Sequence, residues 1–176
     1  LDVLAHLDEA PERLHARLGD PDIDAVTAAA IHVAAVREVF EECGLLLAEG
    51  VDGPGAEQAA ALCAAGLSFN DMLGRLGLRL ATGAMRPWSR WITPPQALHS
   101  PGKRFDTRFF IARAPVGQEA RHDAHEAVLS AWLRPRAALE RYWEGEIALA
   151  APQVMSLAHL ARHASVDAMM AEAEGR

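Results

Sequence analysis

Arg37-Glu38-Val39-Phe40-Glu41-Glu42-Cys43-Gly44-Leu45 is the stretch on which the reading of this chain turns. At about 100° of rotation per residue, a helix through it sets Val33, Val36, Phe40 and Cys43 on one side and Glu38, Glu41 and Glu42 roughly opposite. One face is suited to packing; the other is a patch of carboxylates. Glu41 and Glu42 follow Glu38 by three and four positions, so the three side chains rise from adjacent turns within reach of a shared cation. Hard oxygen donors of this kind suit magnesium or manganese. Such an ion relieves the repulsion among like charges, withdraws electrons from a bridging phosphate oxygen and acidifies a bound water. Arg37, four residues before Glu41, is placed to brace a carboxylate from the side. Gly44 permits the left-handed turn that ends the helix and sends Leu45 back into the core.

Acidic pairs are common on solvated helix faces, and Glu41-Glu42 alone carries little weight. The whole pattern, Arg-Glu-apolar-any-Glu-Glu-any-Gly-apolar, arises by chance in a chain of this length on the order of once in 100,000. That string resembles the second half of the Nudix box, the signature of the Nudix hydrolase family. The resemblance implies that Glu41 and Glu42 are metal ligands and that Glu38 is a further ligand or contributes to base chemistry, with Arg37 among the catalytic residues. Magnesium, or manganese in its place, is the implied cofactor. Two positions depart from the family pattern: Ile23 stands where the box has a glycine, and Ala29 where it has a glutamate.

A branch of the family carries a long insertion between its Gly-Gly turn and its Arg-Glu helix. It includes the peroxisomal coenzyme A diphosphatase of the nineteenth Nudix type and many bacterial proteins. Pro87-Trp88-Ser89-Arg90-Trp91-Ile92-Thr93-Pro94 and Arg104-Phe105-Asp106-Thr107-Arg108-Phe109-Phe110 resemble the paired central strands of that branch, and Glu126 with Trp132-Leu133-Arg134-Pro135 resembles its later strand and helix. The likeness runs from about Ala30 to Leu160. It implies an α/β fold, a Nudix-type α/β/α sandwich with a mixed sheet and a helical insertion over 51–84. A single domain over 1–176 is expected, with the first strands lying before Leu1. The implied activity is hydrolysis of the pyrophosphate in a nucleoside diphosphate derivative, with coenzyme A or an acyl-coenzyme A as the specific substrate. The missing first half of the box leaves an alternative, a catalytically inactive module that senses a nucleotide ligand.

Around the acidic stretch, the residues themselves indicate the elements. Leu4, Leu7, Leu14 and Leu18 recur at helical intervals, with Pro11 read as a break and Gly19-Asp20-Pro21 as a stop. A long helix is predicted over 25–43, capped by Asp24 or Thr27. Leu45-Leu46-Leu47 reads as a buried extension or strand, and 51–55 as a loop by composition. Helices follow over 56–65 and over 69–76, the latter capped by Ser68. Strands are expected over 87–93 and 104–112, where Phe105, Thr107, Phe109 and Ile111 alternate with Arg104, Asp106 and Arg108, and over 126–133. Helices over 136–142 and 153–163 close the chain.

Composition sets the outer limits. The chain has 176 residues, 51% of them hydrophobic, enough for one compact core. Its formal net charge is −7, and Lys103 is the sole lysine, which argues against a nucleic-acid-binding surface. Cys43 and Cys63 make no disulfide framework and lack metal-ligand spacing, so a reducing, cytoplasmic setting is expected. No apolar run is long enough to span a bilayer and no leader is evident, so no membrane partner is expected. A homodimer is expected by family habit alone.

Several residues outside the acidic helix are candidates. Glu126 is a further catalytic carboxylate, with Asp123 and Glu119 behind it. Lys103, Arg104 and Arg108 are candidate phosphate contacts, although alternating exposure on a strand explains the arginines equally well. Trp88 and Trp91 read as packing residues more than as base-stacking ones. His122 and His125 read as loop residues without metal-site spacing.

Overall fold

The computed structural model describes residues 3–94, 104–121 and 131–175. They fall into two compact units: one takes the described residues of Leu1–Met85 and Ala112–Ser130, the other those of Arg86–Ile111 and Ala131–Arg176.

The first unit is built on helices α1 (Pro11–Leu18), α2 (Ala25–Cys43), α3 (Gly53–Ala64) and α4 (Phe69–Leu76). Pro11, expected to break a helix, instead starts α1, where its missing N–H and fixed φ are no handicap. α2 has the predicted bounds. The Asp24 carboxylate accepts the Thr27 N–H at 2.7 Å, and Phe40 O accepts the Gly44 N–H at 2.9 Å with Gly44 at φ 68°. Its packed face consists of Ala28, Ala29, His32, Val33, Val36 and Phe40. His32 is a fully buried member that the apolar pattern passed over, and its Nδ1–H donates to Ala28 O at 2.8 Å. Phe40 meets Phe69 of α4 with ring centroids 6.0 Å apart.

Leu45, Leu46 and Leu47 are all buried, as the apolar run required. Pairing here is by isolated bridges around Leu80: Leu7 lies parallel to it and Ala48 antiparallel. Ala81 N–H donates to Leu47 O at 2.9 Å, and Leu80 N–H to His6 O at 2.7 Å. The sequence reading of 51–55 as a loop is corrected, because α3 begins at Gly53. Asp52 caps it by accepting the Gly55 N–H at 2.9 Å, and Pro54 sits in the first turn where proline is tolerated. Gly and Pro in that stretch mark a helix start as well as they mark a loop. α4 matches its predicted bounds, with Ser68 Oγ accepting the Asp71 N–H at 3.1 Å.

The second unit holds strands β1 (Arg86–Ile92) and β2 (Asp106–Ile111) and helices α5 (Pro135–Trp143), α6 (Ala151–Leu160) and α7 (Val166–Glu174). The strands pair antiparallel, with a bulge between Pro87 and Ser89. A bulge accommodates a proline that cannot donate to the ladder, and it turns Trp88 into the interior. The two-faced reading of 104–112 is corrected: Phe105 is 65% exposed and Thr107 is exposed, whereas the Arg108 side chain is only 11% exposed. Among the described residues β2 has β1 as its single partner, so alternation alone does not settle which side is covered. Polar pairing decides instead. Arg90 grips Asp106 through Nε and Nη2 at 2.8 and 2.7 Å, which holds the Asp106 carboxyl below its ordinary pKa, and Arg108 adds a contact at 3.2 Å.

Two further expectations need adjustment. Residues 131–134 are not strand, and the rest of the strand expected over 126–133 lies outside the described residues. α6 ends at Leu160, short of His163, and α7 was unforeseen; Ser165 starts it by accepting the Ala168 N–H at 3.1 Å. Its alanine-rich, weakly amphipathic sequence gave no clear period. No helix among the described residues is long and apolar enough to cross a membrane.

Candidate active site

The carboxylates of α2 stand where helix geometry places them, on the face away from the core, and Glu38, Glu41 and Glu42 are all exposed. Arg37 lies among them. Its Nη2 is 2.6 Å from Glu38 Oε1 and its Nε 3.8 Å from Glu41 Oε1, with the three side chains 45%, 54% and 53% exposed. Ion pairs this open contribute at most about 1 kcal/mol each. Their role is orientation, because one guanidinium spans two carboxylates from successive turns. Among the described residues these three glutamates do not bring three ligand atoms together within 4.8 Å; they share a face without converging on a point.

Glu41 looks into a cleft of about 340 Å³ within the first unit. One wall is the C-terminal end of α2 with Phe40, Glu41 and Gly44; a second is the start of α3 with Gly53, Ala56, Glu57 and Ala60. Gln118, Glu119 and Arg121 supply the third. Burial, then the charge of Glu41, raises the Cys63 thiol pKa. Burial, then Glu42, does the same to Cys43. Both cysteines are free thiols and are held toward the inert, protonated form.

The third wall is fastened by its own polar groups. Gln118 Oε1 accepts the Leu46 N–H at 2.8 Å, while Gln118 Nε2 donates to Leu46 O at 3.1 Å and to Val51 O at 3.0 Å. One side chain thus serves both backbone groups of a fully buried leucine, whose carbonyl also accepts the Ala48 N–H at 3.0 Å. Arg121 N–H donates to Cys43 O at 2.8 Å, closing the end of α2, and its guanidinium pairs with Glu57. At Gly53 a Cβ would lie 2.5 Å from Gly117 O, so only glycine allows α3 and this segment to come so close.

Of the residues singled out from sequence, Glu41 and Glu119 meet in one cleft, with Arg37, Glu38 and Glu42 on the adjoining helix face. Glu126, Asp123, Lys103, His122 and His125 lie outside the described residues. Arg104 and Arg108 belong to the second unit, where Arg104 Nε donates to Thr93 O at 2.9 Å and Arg108 pairs with Asp106. Trp88 is a packing residue, its ring 4.5 Å from that of His159. Sequence reasoning missed Glu57, Gln118 and Arg121. The polar character of 117–121 was the only signal for the last two, and nothing in an alanine-rich helix marked Glu57.

Comparison with known proteins bears on the same region. The family model for the NUDT19 Nudix domain matches residues 15–160. Among curated proteins, the chain is similar to the acyl-coenzyme A diphosphatase NUDT19 of Gallus gallus, 31% identical over 163 residues that cover 78% of this chain and 42% of the relative. The Homo sapiens protein of the same name is 34% identical over 154 residues, covering 78% and 40%. The chain therefore spans about two fifths of the length of these relatives. Among solved structures, a Nudix hydrolase from Alicyclobacillus acidocaldarius superposes with a TM-score of 0.68 at 28% identity, covering 93% of this chain and 76% of that one.

Proposed function

This chain belongs to the NUDT19 Nudix-domain family and has the Nudix α/β fold, and from that premise we propose that it is a hydrolase cleaving the pyrophosphate bond of coenzyme A or an acyl-coenzyme A. The observation that carries the proposal is the Arg37–Gly44 segment on α2, whose carboxylate face opens into a cleft through Glu41. The relatives named acyl-coenzyme A diphosphatase support the substrate class.

The donors on α2 are all carboxylate oxygens, a set that fits a hard divalent cation such as magnesium or manganese. Glu38, Glu41 and Glu42 would hold it, and when bound it would supply Lewis acidity toward phosphate oxygens and a more acidic water. Arg37 keeps Glu38 and Glu41 turned toward each other before any ligand arrives. Arg121 is the guanidinium that this cleft offers to a phosphate, and release from Glu57 would free its planar fork for two oxygens. Glu119 is within the same cleft and is the described carboxylate best placed to accept a proton from an attacking water. Two inert thiols beside the cleft agree with an enzyme of a reducing compartment such as the cytoplasm.

Incubating the chain with coenzyme A and either magnesium or manganese tests the proposal. Cleavage at the pyrophosphate yields 3′,5′-ADP and 4′-phosphopantetheine, both resolved by chromatography. Appearance of the two products, lost in Glu41→Gln, is the expected result. Tight binding of coenzyme A with neither product would instead establish the sensing module, the reading favoured by Ile23 and Ala29 in the first half of the box.

A further inference from the structure

The second unit contains a group of ligating side chains that the acidic helix does not explain. His159 near the end of α6, His163 in the turn after it and Glu172 on α7 bring one ligand atom each to within 4.8 Å of one another. His159 Nε2 is 3.0 Å from Glu172 Oε1, and His163 Nε2 is 3.2 Å from Glu172 Oε2. Each imidazole therefore faces its own oxygen of one carboxylate. Among the described residues this is the one group of three whose ligand atoms converge so closely.

We propose that His159, His163 and Glu172 form a site for a single divalent transition cation of the zinc class, which clamps α7 to the end of α6. Two histidines four apart with a carboxylate from another helix are a donor set that suits zinc and disfavours magnesium. Metal–ligand bonds of about 2.0–2.1 Å in a tetrahedral arrangement place neighbouring ligand atoms about 3.3 Å apart. The observed N–O separations of 3.0 and 3.2 Å are close to that, and all three ligand atoms lie within 4.8 Å of one another, so small side-chain adjustments admit the ion.

The rings are held for the purpose. Trp88, buried at the β1 bulge, lies 4.5 Å from the His159 ring and 5.9 Å from that of His163, restricting both imidazoles. Exposure of the side chains runs to 28% for His159, 12% for His163 and 39% for Glu172, so a cation can enter and water can complete the fourth position. The clamp would add to an ion pair that already anchors α7 to β1, Arg86 to Glu174 at 2.8 Å.

Zinc titration of the whole chain, followed by calorimetry and by tryptophan fluorescence, tests the site. One equivalent bound at submicromolar concentration is expected, unaffected by millimolar magnesium, together with a rise in melting temperature. Cobalt in place of zinc should give the intense visible bands of a four-coordinate ion. His163→Gln and Glu172→Gln should each weaken zinc binding by about a hundredfold, whereas Glu41→Gln should leave it unchanged. Circular dichroism of each variant matching the parent separates lost ligation from lost folding, and Glu172→Asp should restore part of the affinity. Uptake of zinc that is absent at 100 µM, or equal in parent and His163→Gln, or abolished by Glu41→Gln, would overturn the proposal.

Discussion

The carboxylates on α2 and the histidine group beside α6 are opposite kinds of candidate site. On α2 the ligand types are arranged by spacing along one helix, and the sequence displays them openly, yet they fan out into solvent and three do not converge. At α6 and α7 the sequence shows only His159, His163 and a distant Glu172, and folding brings their atoms into contact. A helix can hold like charges on one face, but side chains radiating from one axis meet at a point only when something draws them together. Ligands from two helices can meet across the gap between them. Hard oxygens exposed on one helix fit a loosely held, hydrated ion exchanged with substrate; two imidazoles and a carboxylate under a tryptophan fit a resident one.

The largest expected effect breaks the comparison if it fails. Glu41→Gln should lower coenzyme A hydrolysis by about a hundredfold or more, the scale of a positioned group acting on the reaction, and Glu172→Gln should leave that rate near the parent's. Initial rates with zinc excluded check both, and a collapse of hydrolysis in Glu172→Gln would mean that the two sites do not act separately.

Next in size is the support of the cleft. Gln118→Ala removes three hydrogen bonds and leaves the Leu46 amide without its acceptor in a buried stretch, while Leu46 O keeps the Ala48 N–H at 3.0 Å. A loss of about 3 kcal/mol is expected, at the upper end for an unsatisfied buried group, read by urea denaturation. Zinc affinity should not change. Gly53→Ala sharpens the same contrast with a smaller loss of about 2 kcal/mol, because its Cβ meets a backbone oxygen that must shift. It should also raise the KM for coenzyme A by widening the cleft.

The smallest effect is a slope with pH. Burial of His32 pushes its imidazole below the ordinary value, with Ala28 O acting weakly the other way. The folded chain then binds its proton less readily than the unfolded one. Stability is full above the unfolded value of about 6.5 and falls as pH drops toward the folded value. Melting followed between pH 7 and 5 should show that decline, and His32→Leu should flatten it.

Legibility from sequence followed the physical source of each feature. α2 and α4 were readable to the residue because capping side chains, apolar period and terminating glycines act within a few positions of one another. The start of α3 was not, since Asp52-Gly53-Pro54 supports a loop and a capped first turn alike. β2 lies within the expected 104–112 but starts two residues later, at Asp106, and has a different covered side, because among the described residues it is half of a two-stranded ribbon that leaves cover to whichever polar groups pair, here Arg90, Asp106 and Arg108. At the cleft, Glu41 was visible through its motif. Gln118 and Arg121 were not, because their partners Leu46, Val51 and Glu57 lie some seventy residues away in the chain.

By itself the sequence determined the family, the helix that bears the carboxylates and its caps, since these rest on interactions between near neighbours whose geometry one helical period dictates. Only the tertiary structure decided that Glu41 opens onto Glu119 and Arg121, that Gln118 bonds the backbone of Leu46 and Val51, and that two histidines and Glu172 close on one another. Those outcomes depend on which distant segments pack together, and packing is chosen by the fit of the whole core rather than by any local pattern.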